Sequence, residues 1–214
     1  MAISGVSPGG LSQQLAAQSV SRQRVVTADP GDGTQSVDVT TTSSSGASSD
    51  RTYSQNADGG VTVSISRTAA DGSTVDRQLS TDGSGGYSAS LSVSGANGAS
   101  VSVQSDGSVS DGTLAYSRAL DYTLAGGASG SRSVDGSVGD GSLSRSVSGQ
   151  GTLAGGASFT RSSDSQASSG SGGSVKGVID VVDGADSKTL AFSSAGGPGA
   201  GGGFAHPDSD GDAS

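Results

Sequence analysis

Thr123-Leu124-Ala125-Gly126-Gly127-Ala128-Ser129 recurs, residue for residue, as Thr152-Leu153-Ala154-Gly155-Gly156-Ala157-Ser158, 29 residues further along the chain. The match extends outward in both directions. An earlier copy opens at Ser94 and carries Ala96-Asn97-Gly98-Ala99-Ser100 in the same frame. Asp106-Gly107-Ser108-Val109 aligns with Asp135-Gly136-Ser137-Val138, and Asp111-Gly112-Thr113-Leu114 aligns with Asp140-Gly141-Ser142-Leu143. A third copy decays: Asp164 is kept, but Ser169 stands where Asp140 stood. Self-similarity at a fixed period is the mark of a repeat architecture, and here it spans residues 94–173. A unit of this size is either one long β-hairpin or one coil of a β-solenoid. Stacked coils would set equivalent residues side by side, with Leu114 beside Leu143, Leu124 beside Leu153, and Val109 beside Val138 and Ala167. Those columns are the candidate core.

Upstream, residues 29–93 carry short alternating runs: Val37-Asp38-Val39, Val61-Thr62-Val63-Ser64-Ile65, and Tyr87-Ser88-Ala89-Ser90-Leu91-Ser92-Val93. Period-two alternation bounded by Asp-Gly pairs at 32–33, 58–59, 71–72 and 82–83 is a hairpin signature. It predicts an irregular β-hairpin region in which Ser and Thr fill a wet second face. Downstream, Val175 to Val182 and Ser187 to Phe192 flank Asp183-Gly184, which predicts a closing hairpin over 174–193. Both lysines, Lys176 and Lys188, fall there, and Lys on a strand edge discourages edge-to-edge pairing. Residues 194–214 read as a disordered Gly-rich tail. Residues 1–28 read as an N-terminal helix for docking or export: Ser7 caps, Pro8 suits the first turn, and Leu11 and Leu15 share a face.

The composition limits what such a chain can build. Leu, Ile, Val and Phe make up 36 of 214 residues, about 17%, below the roughly 20% typical of chains with a core. Trp is absent and aromatics are 3%. All 20 acidic residues are Asp, which favours turns and caps over helix interiors. The expectation is therefore an all-β, elongated, repetitive hairpin or solenoid-like array with thin apolar columns.

Function classes are narrowed the same way. A net charge of −9, with the 11 Lys and Arg scattered, argues against nucleic acid. No apolar run is long enough to span a membrane as a helix. The first residues lack the charged and apolar regions of a cleavable signal peptide. The single histidine, His206, lies in the Gly-rich tail, where no catalytic arrangement is held rigidly. A general acid needs a carboxyl raised by burial, and this chain offers little burial.

Calcium is the one ligand the sequence suggests. Asp208, Asp210 and Asp212 have the one-in-two spacing that opens an EF-hand loop, but Ala213 replaces the turn glycine. If coils stack, Asp106 would lie near Asp135, and Asp111 near Asp140. A cation would then relieve the repulsion between like charges. The plainer and favoured reading is that each Asp caps its own turn and faces water. The leading expectation is a non-enzymatic structural or surface repeat protein, a bacterial matrix, fibre or appendage component. It would need no cofactor, would partner itself or a surface, and would be extracellular by a route without a cleavable signal. The alternatives are a disordered low-complexity protein of the cytoplasm and a calcium-dependent β-roll-like module.

Overall fold

The computed structural model describes residues 20–29 and 33–196. All the described strands belong to one antiparallel sheet in which each strand pairs with the next. The first half runs β1 (Val20–Asp29), β2 (Thr34–Ser43), β3 (Ser48–Gln55), β4 (Val61–Thr68), β5 (Thr74–Thr81) and β6 (Gly86–Ser94). The second half runs β7 (Ser100–Ser110), β8 (Thr113–Thr123), β9 (Ser129–Gly139), β10 (Ser142–Thr152), β11 (Ser158–Ser168), β12 (Gly172–Asp183) and β13 (Asp186–Gly196). The architecture is all-β, a thirteen-strand meander. Each 29-residue unit is one hairpin: two strands, a short turn and a five-residue loop.

Glycine placement sets the loops. Six connections share one geometry, beginning at Ser43, Asn56, Ala69, Gly95, Leu124 and Leu153. In each, the fourth residue donates its N–H to the first residue's carbonyl, and the first residue's N–H donates to the fifth. Gly127 to Leu124 is 2.9 Å, and Leu124 to Ala128 is 2.8 Å. The fourth residue is always glycine, with φ from +79° at Gly59 to +91° at Gly156. This is a type I turn closed by a left-handed glycine, the common three-residue hairpin loop. Asp111-Gly112 and Asp140-Gly141 are tight two-residue turns instead. Both Asp residues have φ +50°, and their glycines +75° and +68°, as a type I′ turn requires. Asp tolerates that region better than most side chains. Where Ser169 replaces it, the connection lengthens to Ser169–Ser171 and Gly172 takes the positive φ, +80°.

The stretch 29–93 is regular rather than irregular. Residues 26 apart fall in one cross-strand row two strands on: Val37 meets Tyr53, Tyr53 meets Val63, Val63 meets Leu79, and Leu79 meets Ala89. From β7 to β11 the same step is 29, as in Val109, Leu114, Val138 and Leu143, and the longer connection at 169–171 makes it 30 from β10 to β12. The hairpins lengthen from 8-residue to 11-residue strands, and the row is preserved.

Three sequence expectations are corrected. Residues 20–28 form β1, not the end of a helix. Val25, Val26 and Thr27 are β-branched, and β1 pairs along its length with β2. The rest of the expected helix lies outside the described residues. The closing hairpin is longer than 174–193, and residues 194–196, assigned to the tail, are the end of β13, where Ser194 pairs Val175. Leu114 and Leu143 share a row but do not touch as neighbours, because Val138 lies between them. Likewise Leu114 lies between Val109 and Val138. Leu124 and Leu153 sit in loops, 50% and 52% exposed.

Candidate functional site

The candidate functional feature of this sheet is its pair of faces. Side chains alternate along a strand, and cross-strand partners point the same way. From the register, one face carries Tyr53, Val63, Leu79, Val134, Val147 and Phe192 in its central row. The next row alternates cations with aliphatics: Arg24, Val39, Arg51, Ile65, Arg77 and Leu91. Further across, Leu120 meets Arg132, Arg132 meets Gly149, and Gly149 meets Arg161. All nine arginines and Lys188 fall on this arginine face. Among the described residues its only acids are Asp183 and Asp186, paired at the last hairpin turn.

The opposite face is built of Ser and Thr. Hydroxyls bond across it in register: Ser80 to Ser88 at 2.7 Å, Ser133 to Ser148 at 2.7 Å, and Ser137 to Ser144 at 2.9 Å. Asp38, Asp50, Asp76, Asp106, Asp121, Asp135, Asp164 and Asp180 project from it. No two of these are direct partners; each faces a neutral side chain or Lys176. Asp180 accepts from Thr189 at 2.5 Å and from Thr160 at 3.4 Å. Like charges directly opposite one another destabilise a sheet, and this spacing avoids that.

Among the described residues, nothing covers the arginine face. Val147, at 6% exposure, is the one buried apolar side chain among the described residues, while Val26 is 58%, Leu79 49% and Leu190 53% exposed. Arginine stems shelter apolar neighbours while their heads stay in water. Rings fill the gaps that glycines leave. Tyr87 lies over Gly107, Tyr116 over Gly136, Tyr122 over Gly130, Phe159 over Gly151 and Phe192 over Gly177, each pair directly cross-strand. A groove of about 710 Å³ runs along this face, with Tyr87, Tyr116, Arg118, Arg132, Val134 and Arg145 among its lining.

The acids expected to bind calcium are distributed as follows. Asp106, Asp135 and Asp164 share one row of the serine face, separated by Ser117 and Ser146. At about 4.8 Å per strand, each is about 10 Å from the next. Lys176 stands directly opposite Asp164. Asp111 and Asp140 head two turns at the same end of the sheet, two strands apart, so neither pair is adjacent as stacked coils would make it. Among the described residues, no three His, Cys, Asp or Glu side chains are grouped to hold a metal. Asp208, Asp210 and Asp212, with His206, lie outside the described residues.

Two other carboxyls are perturbed, both in loops. Asp71 is held below the usual carboxylate range by the Ser73 hydroxyl, at 2.6 Å, and the Ser73 N–H, at 2.9 Å. Asp82 is lowered by the N–H groups of Ser84 and Gly86, both at 2.8 Å. Such shifts stabilise the anion and suit a turn cap; proton donation needs the opposite shift.

The sequence shows how the arginines sort, though simple charge counting misses it. Ile65-Ser66-Arg67, Tyr116-Ser117-Arg118, Leu143-Ser144-Arg145 and Phe159-Thr160-Arg161 all set Arg two residues from an apolar side chain. In a strand, that spacing puts both on one face. No helix among the described residues is long and apolar enough to cross a membrane. Comparison with protein-family models, curated proteins and solved structures gives no match.

Proposed function

We propose that this chain is a non-enzymatic structural or surface protein, a repetitive β element of a matrix, fibre or appendage that acts through self-association or contact with a surface. The observation that carries this reading is the single-layer sheet whose two open faces differ in chemistry across all thirteen strands. Such a fold puts its residues into surface. Each hairpin extends that surface by the same unit, which is the solenoid-like property of the repeat. An extracellular or cell-surface location fits this use, with the cytoplasm as the alternative.

The test is far-UV circular dichroism of the purified chain, with and without calcium, followed by sedimentation. The reading expects a β spectrum without metal, and assemblies larger than one chain. A coil spectrum in both conditions overturns it in favour of a disordered chain. A second reading, the calcium-dependent module, draws its support from the row shared by Asp106, Asp135 and Asp164. Its signature is a coil spectrum that turns β only when calcium is added.

A further inference from the structure

We infer that copies of this chain stack front to back, the arginine face of one sheet lying on the serine and aspartate face of the next. This rests on the proposed structural role and names its partner: a second copy.

Three observations carry it. The first is charge. One face holds nine arginines and Lys188 against Asp183 and Asp186, and the other holds eight aspartates, from Asp38 to Asp180, against Lys176. A face-to-face pair would set arginine against arginine; front-to-back stacking sets each sign against its opposite.

The second is placement. Arg51 and Asp50 lie on β3, Arg77 and Asp76 on β5, Arg132 and Asp135 on β9, and Arg161 and Asp164 on β11. On each of these strands the two signs lie on opposite faces, one residue apart in β3 and β5 and three residues apart in β9 and β11. A copy displaced along the sheet normal therefore sets arginine-bearing strands over aspartate-bearing strands in both halves of the sheet.

The third is area and shape. Thirteen strands at about 4.8 Å span roughly 60 Å, and strands of this length reach about 30 Å. One face thus offers about 1,800 Å², against about 800 Å² per partner in a standard interface. The serine face carries mostly small side chains, so a second sheet can approach closely. The back of a sheet also has the same curvature as the front of its copy. A heterologous contact of this kind does not close on itself, so it builds a filament along the stacking axis.

The experiment uses two charge-swapped full-length chains, each checked for a native β spectrum. One carries Arg51→Asp, Arg77→Asp, Arg132→Asp and Arg161→Asp. The other carries Asp50→Arg, Asp76→Arg, Asp106→Arg and Asp135→Arg. By sedimentation velocity, the unaltered chain assembles. Its half-assembly concentration rises about tenfold or more when salt is raised to about 1 M, where the screening length is about 3 Å. Each swapped chain alone stays monomeric, because most of its altered strands then carry one sign on both faces, and an equimolar mixture assembles.

Assembly that persists in each swapped chain alone overturns stacking while leaving the structural role intact, since the contact then lies elsewhere, as at the sheet edges. A folded, monomeric unaltered chain overturns both. If that monomer binds vesicles of anionic phospholipid, and the arginine-swapped chain does not, the face belongs to a lipid surface instead.

Discussion

Glycine has two distinct uses in this chain, and substitution separates them. Gly127 closes its loop with φ +86°, where an L side chain is strained, whereas its neighbour Gly126 has no positive φ and nothing within 4 Å of an added Cβ. Gly127→Ala is expected to cost about 1 kcal/mol in urea unfolding, and Gly126→Ala close to nothing. Gly136 serves packing: an added Cβ would sit 2.6 Å from the Tyr116 ring, so the ring must leave its place. Ser49 is the converse case. It points to the arginine face between Thr41 and Arg67, and its hydroxyl is buried without a hydrogen-bond partner. Ser49→Ala removes that unsatisfied group and is expected to raise stability by up to about 1 kcal/mol. The Asp71 and Asp82 caps give a pH signature. Their carboxyls are lowered in the folded state, so their contribution is complete above the unfolded aspartate range. It is lost as pH falls through their folded values. Thermal melts are expected to show lower stability on acidification below about pH 4, with a shallower drop in Asp82→Ala.

At the scale of the element, the hairpin is the unit, and its length is fixed by the need to return each side chain to the same face. Deleting residues 129–157, which removes β9, its turn, β10 and the following loop, joins the 124–128 loop to β11 with every row intact. Deleting 129–156 instead leaves one extra residue in the joining loop and shifts the register of all that follows. A one-residue slip reverses the faces of a strand. The first deletion is expected to keep a cooperative melt, and the second to lose protection from proteolysis downstream of Thr123. Much of this element was legible in sequence: the exact repeat around Leu124 and Leu153, the alternation, and the Ser and Thr of the wet face. The 26-residue period upstream was not, because its marks, Gly46, Gly72 and Gly98 with Asp50-Arg51 and Asp76-Arg77, are separated by side chains that vary. The extent of β1 was missed because Leu11 and Leu15 suggest a helix whose end the sequence does not mark. The choice between hairpin and coil depended on the sign of φ at Asp111 and Asp140, which composition does not reveal.

At the scale of the molecule, the thirteen described strands form an open layer with β1 at one edge and β13 at the other. Successive strands alternate in direction, so β1 and β13 run the same way, both being odd in the order. Joining those edges, within one chain or between translated copies, would require a parallel pair in an otherwise antiparallel sheet. Stacking keeps every pair as it is, and it covers the apolar side chains that a single layer leaves in water, Leu79 at 49% and Leu190 at 53% among them.

Cysteine pairs read out the register that sorts side chains onto two faces, since the chain has no cysteine of its own. Ser133 and Ser148 face each other across β9 and β10 with their hydroxyl oxygens 2.7 Å apart, within reach of a disulfide after double substitution. Val147, beside Ser148 in sequence, points to the opposite face. Under mild oxidation, Ser133→Cys with Ser148→Cys is expected to form an intramolecular disulfide, and Ser133→Cys with Val147→Cys to keep free thiols. Equal oxidation of the two pairs would contradict the account, because only a chain without this register would make them equivalent.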